Sequence, residues 1–337
     1  GCDCASRSAN AVLPLAVGPA ISASLLSLSL FCGFVMSSAS STNVATLIAA
    51  DHLDSGMLSE VADRLRDAGL EPGEHDWLEQ GKAGDLAFKG AIEAARDALR
   101  GVENTMDICV QPSTNRRKML LVSDMDSTII TIECIDELAD YAGIKAEIAE
   151  ITERAMQGEL DFEGALRGRV ALLKGLHRDT IQQCIDERVR LTPGADILLQ
   201  TMRGWGAHGL LVSGGFTDFV AAVVDMAGFD SMAANRLGIA GDYLDGTVDG
   251  DIVDAREKAR QLHMARQQLG IAPELVLSAG DGANDILMVE AAIEGGGIGA
   301  AYHAKPALAE KANFAIRHND LTALLFAQGV RRSDWNI

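Results

Sequence analysis

From residue 118 onward, short apolar runs end repeatedly in clusters of serine, glycine and aspartate. KMLLVSDMDST (118–128), HGLLVSGGFTD (208–218) and ELVLSAGDGAND (274–285) share this pattern. None of the three alternates between apolar and polar positions, so each predicts a strand covered on both faces, as in a parallel sheet. In an open α/β sheet, ligands bind beyond the carboxyl ends of the strands. The three polar ends are therefore expected to converge on one crevice.

Residues 43–112 follow a different rhythm. VATLIAA (44–50) predicts a strand, and MLSEVADRLRDAG (57–69) an amphipathic helix stopped by Gly69. HDWLEQG and DLAFKG predict two short strands, AIEAARDALRG a second helix and MDICVQP a closing strand. The order βαββαβ implies a small ferredoxin-like α+β domain. It carries no evident chemistry, so a regulatory or dimerising module is expected, with a homodimer through this domain. STNRRK (113–118) is a polar, basic linker.

Between the first two polar strand ends, 136–190 is almost wholly helical in pattern, too long for a crossover helix. It predicts an inserted helical cap of about four helices, leaving 118–135 and 191–325 as the core. Thr192 and Pro193 predict the next helix start, with Thr as N-cap and Pro at the first helical position. GDYLDGTVDGDI (241–252) carries two Asp-Gly pairs, the signal of a hairpin turn. Residues 326–337 are expected as a tail. The fold class is thus α/β, a Rossmann-like parallel sheet with a helical cap and a small domain in front.

The N-terminal stretch departs from all this. No charged residue occurs from Ser8 to Ala50, and 11–36 is apolar enough to suggest a signal sequence or anchor. Pro14, Pro19 and several serines interrupt it. Residues 1–42 are therefore read as an extension outside the working protein, a targeting segment or a disordered tail.

The formal charge of −19 argues against a nucleic-acid partner, which demands basic surface. It leaves room for a small anionic substrate held by a local cluster of donors. The six cysteines form no CxxC pair and, apart from Cys2 and Cys4 in the N-terminal tail, imply reduced thiols in a cytoplasmic protein.

Asp124, Asp126, Asp281 and Asp285 would place four carboxylates around one crevice. That density requires a cation, and hard oxygen ligands favour Mg²⁺. One aspartate of the Asp124/Asp126 pair can attack phosphorus, and the other can protonate the departing alkoxide and then deprotonate water. Ser213 with the Gly214 and Gly215 backbone supplies donors to a phosphoryl group, and Lys258 supplies positive charge.

DMDST, SGGF and a lysine ahead of GDGAND together resemble the haloacid-dehalogenase superfamily of aspartate-nucleophile phosphatases. Glu133, MQGELDFEGALRGRV (156–170), the VSGGF spelling and AKPALAEKA (304–312) resemble its phosphoserine phosphatase branch. The resemblance covers about 118–325. It implies Asp124 as nucleophile and Asp126 as acid and base. Mg²⁺ would be held by the Asp124 carboxylate, the Asp126 carbonyl and Asp281, with Asp285 in support. Ser213, Gly214 and Lys258 would hold phosphate, and Asn284 phosphate or substrate. Glu133 would pair with the substrate ammonium and Arg169 with its carboxylate, while Met156 and Phe162 close over it.

The implied reaction is Mg²⁺-dependent hydrolysis of O-phospho-L-serine to serine and phosphate, the last step of serine biosynthesis. Two alternatives stand beside it. One is action on a related phosphorylated small molecule such as homoserine phosphate; the other is an amino-acid-sensing regulator with a vestigial core. Arg167 competes with Arg169 for its role. Gly164 and Gly168 within the cap, and the glycine run of EGGGIGAAYH (294–303), depart from the expected pattern.

Overall fold

The computed structural model describes residues 42–156 and 159–337. The apolar segment 11–36 and Cys2, Cys4 and Cys32 lie outside the described residues, as does the side chain of Met156.

The first unit runs β1 (Thr42–Ala49), α1 (Ser55–Asp67), β2 (Glu71–Glu79), β3 (Ala83–Lys89), α2 (Ile92–Ala98) and β4 (Met106–Pro112). Its antiparallel sheet has the order β2-β3-β1-β4, which is consistent with the ferredoxin-like expectation. Period-two alternation gives the sheet two apolar faces. Leu47, Leu86 and Phe88 pack with Leu58, Val61 and Leu65 of α1, whose first turn is capped by Asp54 accepting from the Met57 amide at 2.9 Å. Ile48, Leu78, Ala83 and Cys109 point the other way and join the core of the larger unit.

That larger unit opens with β5 (Leu120–Ser123) and continues through four cap helices, α3 (Cys134–Ala142), α4 (Lys145–Met156), α5 (Phe162–Leu172) and α6 (Asp179–Arg188). Then come α7 (Ala195–Gly204), β6 (His208–Phe216), α8 (Thr217–Ala227), β7 (Ser231–Ala240), β8 (Tyr243–Asp249), α9 (Ala255–Gln268) and β9 (Val276–Gly280). The chain closes with α10 (Ile286–Glu294), β10 (Ile298–Tyr302), α11 (Pro306–Ala309), β11 (Phe314–Ile316) and α12 (Ala323–Ala327).

The sheet order is β11-β10-β9-β5-β6-β7-β8, parallel except for the β7–β8 pair. β5 lies between β6 and β9, so the three strands that end in polar clusters are neighbours. Ser123 pairs with both Leu211 and Ala279, which aligns their carboxyl ends. The cap leaves and rejoins the core side by side: Ile130 bridges Leu191, and Thr192 donates to the Ile129 carbonyl at 2.8 Å.

Three local expectations fail, each for a visible reason. Thr192 is not an N-cap, because Gly194 adopts a left-handed φ of 83° and the helix begins only at Ala195. The side chain of Thr322 fills the space where a Cβ on Gly194 would stand. The β7–β8 turn is made by Gly241 and Asp242 rather than by an Asp-Gly pair. Asp245 and Gly246 instead bulge out of β8, and the Thr247 and Asp245 side chains press on Gly238. Residues 326–337 are no loose tail: Phe326 and Val330 are buried, Trp335 packs on the Phe326 ring, and the Asn336 amide donates to Thr201.

Candidate active site

The strand ends bring Asp124, Asp281 and Asp285 together, with one carboxylate oxygen of each lying within 4.8 Å of the others. All three are buried. Lys258 of α9, also fully buried, sits between them, its Nζ 2.7 Å from Asp124 Oδ1 and 2.8 Å from Asp285 Oδ1. Burial works against the ammonium, but Asp124 and Asp285 outweigh it and hold the amine above its usual range. Burial, and then the Asp285 charge, push Asp124 well upward against the pull of Lys258. Burial also raises Asp281. One buried ammonium thus faces two of the three carboxylates, a donor set with room for a further positive charge.

Asp285 is fully engaged. Besides Lys258 it accepts from the Asp281 and Gly282 amides through Oδ2, each at 3.1 Å. It therefore fixes the loop that carries Asp281 and offers no free oxygen, whereas Asp281 and Asp124 face the crevice. Two hard carboxylates, Asp124 just after β5 and Asp281 on the amide-bonded loop, suit a divalent cation.

Asp126 is half-buried two residues beyond Asp124 and accepts from the Cys134 amide at 3.3 Å. Burial first, and Glu133 second, push its carboxyl up to about 7. Glu133 precedes α3 and accepts from Ser127 Oγ at 2.9 Å; burial raises it as well. Ser127 reaches it from a left-handed turn, φ 55°.

Ser213 is buried and its Oγ accepts from the Gly215 amide at 2.8 Å, leaving the hydroxyl proton free to donate. A Cβ at Gly215 would stand 3.0 Å from Asp126 Oδ2, and one at Gly214 would stand 3.1 Å from Phe162 Cζ. Only glycine lets Asp126 and the cap approach this loop so closely. Phe162, at the first position of α5, thus lies over Gly214.

Arg169 and Arg167 separate cleanly. Arg169 is half-buried, lowered by burial, and its charge acts on Asp136, Glu133 and Asp126. Arg167 bonds Glu163 at 2.8 Å and the Val248 carbonyl at 3.2 Å, on the outer side of α5. Asn284 is half-buried and folds back over Gly282.

Sequence reasoning missed three participants. Lys305 lies 3.4 Å from Asp281 Oδ2 and donates its amide to the Asp281 carbonyl at 2.9 Å. It belongs to the AKPALAEKA segment, and a lysine beside a proline carried no signal of its own. Ser127 stood inside DMDST unassigned. Asn235 of β7, buried, donates to the Gly214 carbonyl and accepts from the Val253 amide, each at 2.8 Å. A lone asparagine in a strand gives no warning of this.

Comparison with known proteins gives the family. The model of the haloacid dehalogenase-like hydrolases matches residues 118–292. The chain belongs to this family. The hydrolase is 41% identical over 243 residues to the phosphoserine phosphatase of Archaeoglobus fulgidus, spanning 71% of this chain and 69% of that protein. Among solved structures, a probable phosphoserine phosphatase from Vibrio cholerae superposes with a TM-score of 0.69 at 32% identity, covering 88% of both chains. A phospho-aspartyl intermediate analogue of a phosphoserine phosphatase superposes at 0.57 and 37% identity, covering 62% of this chain and 98% of that one. Among the described residues no helix is long and apolar enough to cross a membrane.

Proposed function

We propose that this hydrolase cleaves O-phospho-L-serine to L-serine and phosphate through an aspartyl-phosphate on Asp124. The reading is carried by one observation. A half-buried carboxylate, Glu133, and a half-buried guanidinium, Arg169, flank the same crevice as the buried Asp124–Lys258–Asp281 cluster. A phosphorylated amino acid has a charge to match each of these groups.

Asp124 attacks phosphorus while Asp126, whose raised pKa keeps a proton available near neutrality, donates it to the departing serine oxygen. Asp126 then takes a proton from water, which attacks phosphorus and frees Asp124. Lys258, Ser213 and the Gly214–Gly215 backbone neutralise and orient the phosphoryl oxygens. Mg²⁺ would be held by Asp124, the Asp126 carbonyl and Asp281, with Asp285 keeping the loop in place. When bound, it supplies charge neutralisation at the phosphoryl group.

Arg169 grips the substrate carboxylate as a planar fork, Glu133 takes the ammonium, Phe162 covers both, and Asn284 touches phosphate or substrate. We assign Met156 to the same cover from its place in the sequence. Residues 43–112 are proposed as the regulatory or dimerising module. Among the described residues, the buried free thiols Cys109, Cys134 and Cys184 support a reducing compartment, the cytoplasm, where the reaction would complete serine synthesis.

The test is phosphate release by the whole chain, with and without Mg²⁺, from phosphoserine, from phosphoethanolamine (no carboxylate) and from an analogue without the amine. Phosphoserine is preferred and turnover needs Mg²⁺. Arg169→Ala raises KM for phosphoserine by about 10- to 100-fold, matching a lost charged hydrogen bond, with little change for phosphoethanolamine. Arg167→Ala leaves both alone. Equal turnover of all three compounds, or metal-independent turnover, contradicts the reading.

A further inference from the structure

Asp107 is an ionisable residue that no part of the chemistry uses, yet it is 1% exposed. It projects from β4, the edge of the small sheet, toward the loop that follows β11 of the catalytic sheet. Its Oδ1 accepts from the Arg317 amide at 2.7 Å and the His318 amide at 3.2 Å. Its Oδ2 accepts from the Asn319 amide at 3.1 Å and Asn319 Nδ2 at 2.8 Å. A carboxylate so surrounded by donors fixes the loop it binds.

The loop in turn holds His303. The His303 Nε2 lies 2.9 Å from the Asn319 carbonyl oxygen, which can only accept, so Nε2 carries the proton. The His303 amide donates to the Ile316 carbonyl at 2.8 Å. His303 adopts a φ of 41°, a left-handed conformation unusual for a residue with a Cβ. Two residues further on, the Lys305 amide meets the Asp281 carbonyl at 2.9 Å and the Lys305 ammonium its carboxylate at 3.4 Å. The strained turn at His303 thus sets where Lys305, and with it Asp281, stands.

From this continuous set of bonds we infer that His303 and Asp107 are positioning residues for the metal-binding corner of the active site. The small N-terminal sheet braces Asp281 through Asn319, His303 and Lys305. The inference rests on the proposed role of Asp281 toward Mg²⁺. It gives residues 43–112 a part in the reaction that needs no ligand of their own.

The test uses the whole chain, reading the Mg²⁺ concentration for half-maximal phosphate release and, independently of turnover, that for half-maximal thermal stabilisation by Mg²⁺. His303 is exposed, so its loss should leave the fold intact. His303→Ala raises both concentrations by about tenfold, the usual scale for lost support behind a metal ligand, with KM for phosphoserine unchanged. His303→Gln, whose amide can still donate to Asn319, recovers most of the affinity. Asp107→Asn, which sets an amide against the same backbone donors, shifts both concentrations in the same direction. Wild-type behaviour of His303→Ala in both readouts overturns the inference, as does a loss that His303→Gln does not recover. A wild type whose melting temperature ignores Mg²⁺ would instead remove the metal reading itself.

Discussion

At the scale of single residues, the site is a problem in placing negative charge. Asp124 and Asp285 share the buried Lys258 while Asp281 meets Lys305, and burial first of all holds Asp124 and Asp281 above the usual carboxylate range. Asp126 makes this measurable. Its folded pKa, about 7, lies above its ordinary value of 3.8, so between those values the folded chain binds more protons than the unfolded one. Stability from this group is complete below pH 4 and is lost as pH rises through 7. The metal-free protein is expected to melt at a lower temperature at pH 7.5 than at pH 5.5. Asp126→Asn should flatten the difference. A melting temperature that rises over this range, or an unchanged slope in the variant, contradicts the assignment. The two aspartates of DMDST were legible in the sequence because an apolar strand ending in paired carboxylates demands a partner. Asn235 and Lys305 were not, because their roles depend on which backbone atoms the fold sets beside them.

Among elements, the glycines that break the expected pattern divide into two kinds. Gly168 lies inside α5 with ordinary helical geometry, and a Cβ there would meet Ile151 Cδ1 of α4 at a normal 3.6 Å. Gly297 enters β10 where a Cβ would overlap the Val276 carbonyl oxygen of the neighbouring strand. Gly168→Ala should therefore stabilise the protein by roughly 0.5–1 kcal/mol, the helix-interior difference between the two residues. Gly297→Ala should destabilise it, since a backbone carbonyl cannot yield as a side chain can. Urea unfolding of the two variants decides the matter, and equal midpoints would sink the distinction. Strand and helix identities followed from apolar periodicity, which survives folding. The start of α7 and the β7–β8 turn did not, because Thr322 and the Asp245 bulge act on them from distant positions.

For the molecule as a whole, the small sheet is part of the same core as the catalytic unit. Arg116 binds both oxygens of Asp85, at 2.5 and 2.9 Å, and Thr46 Oγ1 at 2.9 Å, while reaching the Phe326 and Ala327 carbonyls at 3.3 and 3.2 Å. Arg116→Met leaves Asp85 enclosed without its partner and should cost about 3–5 kcal/mol. The expected signature is one cooperative unfolding transition at lower urea. Two separated transitions in the wild type would contradict the shared core. The order of elements in both units could be read along the chain. The docking of β4 beside β11 could not, because it rests on Asp107 and on backbone amides that any sequence supplies.

The account stands on Asp124 as the atom that captures phosphorus. During steady turnover of phosphoserine with Mg²⁺, acid quenching followed by borohydride reduction should convert the acyl phosphate at Asp124 to homoserine. Mass spectrometry of the peptide spanning 119–133 would detect it there, and Asp124→Asn should lose both the product and at least about 10³-fold in rate. Reduction found at another carboxylate, or undiminished turnover by Asp124→Asn, would contradict the account.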